Sequence, residues 1–342
     1  MILIQNIYYM LSYSFKVLNA QGYKNLKTEE FANVADLCAA ILVQGVSLQL
    51  KKGLGREYLP EAEVLSSVRG KIDITSSVKN QTLLKKQLVC VFDDFSVNTK
   101  MNQIIKSTML VLLKSEVAKA RKKEIKKLLV FFAEVEVLDI YTINWNVKFN
   151  KTNESYRMLI SICYLVIKGL LQSNTAGSTK LMDFDEENKA RLYEKFILEY
   201  YKKEYPELSV SSSRIPWNVD NDLNNLLPVM QSDIMLRYLN KILIIDAKYY
   251  EENLATRYEK PSIISSNLYQ IFTYTKNAQY NEMDKIVSGM LLYAATDAKV
   301  QPDNSFLMFG NQISVKTLDL MCDFSSIKES LNSIVDSYFE LA

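Results

Sequence analysis

Histidine is absent from all 342 residues of the chain. That removes the Ser-His-Asp and Cys-His nucleophile systems, a histidine-ligated zinc and a nuclease built on a histidine base. Any catalysis must run on carboxylates, lysine, tyrosine or a metal. Cysteine is scarce as well. Cys38, Cys90, Cys163 and Cys322 are scattered, with no CxxC or zinc-ligand spacing, and suit small core residues in a reducing cytoplasm. No G-x-x-x-x-G-K-[ST] phosphate loop occurs, and Gly53-Leu-Gly55-Arg56 is too short for one and reads as a turn. The chain is therefore no P-loop motor by itself. It lacks a run of 18 uninterrupted apolar residues, which argues against a membrane span. Met-Ile-Leu-Ile at the start has no basic lead-in and makes a poor signal peptide. The expectation is a cytoplasmic protein with no membrane partner and no internal repeat.

What is present describes a globular protein: 48% apolar and 23% charged residues, with length enough for two domains and a sizeable core. The net charge of +2 hides an asymmetry. Residues 1–150 hold 21 Lys/Arg against 14 Asp/Glu, and residues 151–342 hold 20 against 25. A basic front half suits an acidic partner, protein or nucleic acid. An acidic back half suits a DNA-binding surface less well, unless some carboxylates face a cation.

Hydrophobic periodicity predicts an N-terminal helical domain over 1–150 with a β-rich insert at about 46–99, a small barrel or finger. Helices are expected over 6–19, 31–45 (stopping near Gly45) and 101–113. Lys119, Arg121, Lys122, Lys123, Lys126 and Lys127 form the densest basic run. It suits a helix touching a DNA backbone, with Lys119, Lys122, Lys123 and Lys126 as contacts, but suits a solvated helix face better, since charge runs alone rarely specify a partner. A strand-like run in 128–149 would end this domain. Over 151–342 the pattern predicts a mixed sheet flanked by helices. An apolar helix spans 155–172, a polar connection follows over 172–180, and Asp183 with Glu186 can cap the next helix. Leu192, Tyr193, Phe196, Ile197, Tyr200 and Tyr201 form that helix's packing face. Polar loops are expected over 211–226, where Trp217 is a packing anchor or a base-stacking residue, and over 251–266.

The stretch with most to say is Leu227 to Tyr250. Two apolar strand-like runs flank a short polar turn, and Asp233, Asp246 and Lys248 interrupt them where burial favours apolar residues. Asp246 and Lys248, two apart on a strand, share one face. If Tyr238 pairs with Lys241 across Leu239-Asn240, the same register sets Asp233 opposite Asp246, with Cβ atoms about 4.5–5.5 Å apart. Leu-Asn is not a favoured two-residue hairpin loop, and a slip by one residue would send Asp246 to the wrong face. Opposed carboxylates call for a neutralising ion such as Mg²⁺. The same residues also suit plain strand ends with a solvated lysine. The continuous run Ile242-Leu243-Ile244-Ile245 favours the first reading, because a strand buried on both faces ends at a cleft.

Asp233 followed by a hydrophobic strand ending Asp246-Ala-Lys248 resembles the PD-(D/E)xK nuclease core. Gln270-Ile-Phe-Thr-Tyr274 is similar to the QxxxY helix motif of one branch, and at a spacing of four its two polar residues share a helical face. Glu194 resembles the helical acidic residue of that core. Further motifs resemble the McrC family: Gln5 to Tyr13, Arg69-Gly-Lys-Ile-Asp73, Phe92-Asp-Asp-Phe-Ser-Val-Asn98, Asn102 to Thr108, Leu227-Pro-Val-Met-Gln-Ser-Asp233, Ile245-Asp-Ala-Lys-Tyr-Tyr250 and Asn267-Leu-Tyr-Gln270. Ser232 stands where the nuclease motif has proline.

The resemblance implies a Mg²⁺-dependent endonuclease subunit of a modified-cytosine restriction system, acting on double-stranded DNA. Asp233, Asp246, the Ala247 carbonyl and Glu194 would hold the metal. Lys248 would act on water or phosphate, supported by Gln270 and Tyr274. An McrB-like AAA+ GTPase ring would use GTP, which this chain does not bind, and would meet the β-rich insert through Arg56, Arg69, Lys71, Asp93 and Asp94. Two other roles remain open at this point: an interaction subunit that activates the GTPase, and a stand-alone repair-type nuclease.

Overall fold

The first helix has its partner in the C-terminal half of the chain. In the computed structural model, α1 (Ile4–Ser14) buries Ile7, Met10 and Leu11, and buried Asn6 donates to the carbonyls of Leu320 and Cys322 at 2.9 and 2.8 Å. The structure describes all residues except 1, 16–17, 19–22, 24–25, 27–28, 176–185, 221–225, 251–253, 258–259 and 341–342. Two compact units result: residues 32–183 form one, and residues 1–31 together with 184–342 form the other. The expected division at 150 is thus replaced by a discontinuous one. Its physical cause is that α1 packs with residues beyond 184, whereas the helix after 155 packs with those before 130. The expected cap at Asp183 and most of the 172–180 connection lie outside the described residues.

In the 32–183 unit, α2 (Val34–Lys52) opens on Asn33, whose side chain accepts from the Asp36 N–H at 2.9 Å. It runs through Gly45 instead of stopping there. A glycine inside a helix costs about 1 kcal/mol, and the burial of Leu42, Val43 and Val46 on either side outweighs it. The helix stops at Gly53, whose φ of +89° suits a residue without a Cβ. By length and composition α2 could cross a membrane, but 67% of its apolar stretch is buried inside the protein. β1 (Glu57–Leu65), β2 (Lys71–Ile72), α3 (Ile74–Lys79) and β3 (Leu88–Ser96) form the insert, later in its start than expected because α2 is longer. It is a three-stranded antiparallel sheet in the order β1-β3-β2. Next come α4 (Lys100–Lys114), α5 (Lys119–Leu129) and α6 (Tyr156–Thr175), which pack with α2. No strand forms between 128 and 149: Val130–Phe132 is a short 3-10 turn that buries Phe132 and exposes Val130 and Phe131.

The other unit continues with α7 (Glu186–Glu204), whose buried stripe is the expected Leu192, Tyr193, Phe196, Ile197, Tyr200 and Tyr201. β4 (Ser209–Ser211), β5 (Arg214–Ile215), β6 (Met230–Gln231), β7 (Ile234–Tyr238) and β8 (Lys241–Lys248) follow, then β9 (Leu254–Arg257) and β10 (Lys260–Ile263). β9 and β10 pair antiparallel, so part of the expected 251–266 loop is a ribbon. α8 (Ser265–Asn281), β11 (Ile286–Ala294), β12 (Asn304–Met308), β13 (Asn311–Leu318) and α9 (Phe324–Tyr338) complete it. Six strands make a mixed sheet in the order β12-β13-β11-β8-β7-β4. β8 lies in its middle, antiparallel to β7 and parallel to β11. Ile242 to Ile245 are consequently no more than 2% exposed. Trp217 donates its indole N–H to Pro228 O at 2.5 Å and packs against the core, which makes it an anchor.

Candidate active site

The hairpin register delivers the site. Tyr238 pairs with Lys241 and Ile234 with Ile245, so the next step along sets Asp233 level with Asp246. The turn closes although Leu-Asn is a poor loop sequence, because Leu239 takes a left-handed φ of +49°. Asp233 Oδ2 accepts the Ala247 N–H at 2.9 Å, which pins the first carboxylate to the end of β8. Asp246 is 1% exposed, and the Lys248 ammonium stands 2.8 Å from its Oδ2. That pairing is an ion pair by distance without hydrogen-bond alignment, and Oδ1 has no donor among the described residues. A buried carboxylate so weakly solvated costs several kcal/mol unless a cation is close.

α8 supports the ammonium from the other side. Gln270 Oε1 accepts from Lys248 Nζ at 3.3 Å, and Gln270 Nε2 donates to the Tyr274 hydroxyl at 3.1 Å. The expected pair at a spacing of four is therefore one hydrogen-bonded chain leading to Lys248. Gly289 on β11 lets α8 come this close: a Cβ there would lie 2.3 Å from Thr275 Oγ1 and 3.0 Å from Ile271 Cγ1. A second polar layer lies behind. Asn267 Nδ2 donates to the Tyr293 hydroxyl at 3.0 Å, and Tyr250 donates to Asn267 Oδ1 at 3.4 Å. Tyr293 has no distinguishing signal in the sequence; Asn267 has one, standing one helical turn before Gln270.

Electrostatics bind these groups together. Burial, then the negative charges of Asp246 and Glu194, push the Asp233 carboxyl up to about 8. Burial also raises Asp246, against the pull of Lys248. Glu194 on α7 is raised by burial and by Asp246, with Lys248 opposing, so it shares the field of the other three. Burial works against the Lys248 charge, but Asp246 and Asp233 outweigh it and the ammonium is held above its ordinary value.

Carboxyl groups raised by burial, and at Asp233 and Glu194 also by neighbouring negative charge, with an orphaned buried oxygen on Asp246, fit a hard divalent cation. Among the described residues no three His, Cys, Asp or Glu side chains converge closely enough to hold one by themselves. The carboxylates nearest to such an ion are Asp233 and Asp246, with Glu194 in their electrostatic field.

The other expected residues divide. Arg69 stacks 3.7 Å over the Phe92 ring and pairs with Asp94 at 3.1 Å. Asp93, next to Asp94 on β3, points to the opposite face. On that face Tyr58 meets Phe95, whose carbonyl accepts from Arg56 Nη1 at 3.3 Å. Lys71 pairs with Val91 in the β2–β3 register. These five therefore do not form one surface. Lys119, Lys122, Lys123 and Lys126 all lie on α5, which buries only Ile125 and Leu128.

The fold and site define an α/β protein with a carboxylate cluster at the end of its central sheet strand. A family model of the McrBC 5-methylcytosine restriction system component matches residues 4–294, and the chain belongs to that family. It is 28% identical over 344 residues to the type IV methyl-directed restriction enzyme EcoKMcrBC of Escherichia coli (strain K12), covering 98% of each. The fold is also similar to a chain from the tetradecameric assembly of Thermococcus gammatolerans McrB AAA+ hexamers with bound McrC. There the TM-score is 0.54 at 16% identity, over 98% of this chain and 76% of that one.

Proposed function

We propose that this chain is the DNA-cleaving subunit of a GTP-dependent McrBC-type restriction complex, a PD-(D/E)xK endonuclease that needs Mg²⁺. The observation that carries the reading is the convergence of Asp233, Asp246 and Lys248 through the β7–β8 register and the Ala247 N–H bond. Asp233, Asp246 and the Ala247 carbonyl would hold the cation, and Glu194 would reach it directly or through water. A bound Mg²⁺ supplies the charge that polarises the scissile phosphate and acidifies the attacking water. Lys248, aimed by Gln270, steadies that water or the charge that grows on the phosphate oxygens. Tyr274 accepts from Gln270 and keeps its own hydroxyl proton for the DNA backbone.

Recognition of modified cytosine and the use of GTP belong to a separate AAA+ ring. Support comes from the solved assembly, in which McrB AAA+ hexamers carry bound McrC, and from the absence of a phosphate loop in this chain. The β1–β3 insert docks on that ring and stimulates its hydrolysis. It offers Tyr58, Ile74, Leu84 and Phe95, each more than half exposed.

Asp246→Asn tests the reading. In a complex with its GTPase, on methylated duplex DNA with Mg²⁺ and GTP, the variant should lose cleavage while keeping its fold and its stimulation of GTP hydrolysis. Mg²⁺-dependent cleavage that survives the substitution rejects the assignment. Loss of GTPase stimulation along with cleavage rejects the separation of the two roles.

A further inference from the structure

A cleft of ≈ 430 Å³ opens beside the carboxylates, lined by Arg191, Glu194, Lys195 and Leu198 on one wall and by Ser212 and Gln231 to Asp233 on the other. The α7 residues stand at i, i+3, i+4 and i+7, so one helical face looks into it. That face carries two cations on either side of Glu194. Arg191 spends one nitrogen on Glu187 at 2.5 Å, and a guanidinium has five donors. The Lys195 ammonium rests 4.1 Å over the Phe15 ring, which limits where the side chain can swing. Across the cleft Gln231 Nε2 donates to Ser212 Oγ at 3.0 Å, and Ser212 Oγ donates to Ser232 O at 2.8 Å. The amide of Gln231 keeps a second N–H with no acceptor among the described residues.

A site built on three acidic side chains repels a polyanion. Of the residues that line the cleft, Arg191 and Lys195 are the cations that can offset that charge. We propose that this cleft seats the backbone of the strand being cut. Arg191 and Lys195 contact non-bridging oxygens of the phosphates adjoining the scissile one, and Gln231 adds a neutral donor. The inference rests on the nuclease reading above and adds to it positioning residues and the course of the strand. Arg191 and Lys195 act on substrate placement, and Asp246 acts on the chemistry.

The test is steady-state cleavage by the whole complex across a salt series, with wild-type chain, Arg191→Gln/Lys195→Gln, Arg191→Lys/Lys195→Arg and Asp246→Asn. Removing charge-assisted phosphate bonds should raise KM about tenfold or more, with a much smaller effect on kcat. The slope of log KM against log salt should flatten by about one for each phosphate left without its cation. The charge-conserving pair should restore most of both. Unchanged KM and salt slope in the Gln pair, with Asp246→Asn inactive, overturns the cleft assignment alone. A loss confined to kcat in a folded Gln pair also overturns it. Cleavage by Asp246→Asn, or none by wild type, overturns the nuclease reading and the cleft with it.

Discussion

Replacing Asp233 with Asn should stabilise the metal-free chain at neutral pH while abolishing cleavage. The Asp233 carboxyl is moved by burial and by its acidic neighbours from an ordinary 3.8 to about 8. Each tenfold change in proton affinity is worth about 1.4 kcal/mol. The folded state therefore holds a proton that the unfolded chain releases, and stability falls as pH rises from about 4 to about 8, then levels off. At pH 7 the full penalty is on the order of 4 kcal/mol. Solvent reaches the carboxyl from the cleft, so at least about 1 kcal/mol of this should be measurable. Asn can still accept the Ala247 N–H through its amide oxygen, so the variant loses the charge and keeps the bond. The assay is urea denaturation in EDTA at pH 5 and pH 8, wild type against variant. The variant should gain at pH 8 and the gap should shrink at pH 5. Mg²⁺ should then stabilise the wild type and leave the variant nearly unmoved. A variant less stable than wild type at pH 8, or a gap with no pH dependence, would refute the electrostatic account of the site.

Two further outcomes follow from packing. Gly289→Ala should destabilise the sheet by about 1–3 kcal/mol through overpacking, because its Cβ would lie 2.3 Å from Thr275 Oγ1. Cleavage should fall with it as α8 shifts Gln270, and Thr275→Ala in the same chain should recover part of the stability. Asn102 is fully buried and binds Gly55 O, Val97 O and the Tyr156 hydroxyl at 2.9, 2.8 and 2.8 Å. Asn102→Ala should cost at least about 2 kcal/mol in thermal or urea denaturation, and should speed proteolysis around Gly53–Gly55. A neutral result would mean that this knot does not hold the base of the insert.

The central strand was readable because a run of four apolar residues has no other easy home, and strand parity then placed Asp246 and Lys248 on one face. The register was readable only through the length of the Leu239-Asn240 link, since its residue types argue against the turn that forms. Gln270 and Tyr274 could be paired by helical spacing, but their attachment to Lys248 needs the approach that Gly289 allows. Other features leave no local trace. Val130-Phe-Phe132 has strand composition, yet burying Phe132 against the helices of its unit leaves it no edge to pair with. Gly45 looks like a stop because sequence does not reveal that both sides of it are covered. Arg191 and Lys195 look like any polar helix surface until the opposite wall is known. The division into units rests on α1 packing against α7 and on Asn6, which reaches residues more than 300 positions away, and no local sequence pattern reports that.

That reach sets an order of assembly. A ribosome releases the chain from its start, so α1 emerges early and waits while some 300 residues are added, roughly 15–60 s at about 5–20 residues per second. For about the first 170 of those residues, until α7 is made, α1 lacks its main packing partner, and Asn6 lacks its two carbonyls to the end of the interval. The 32–183 unit can close meanwhile on its own packing. The unit that bears the carboxylate cluster thus cannot close until residues well beyond 183 are made, and a chain broken off before Leu320 leaves Asn6 without either carbonyl.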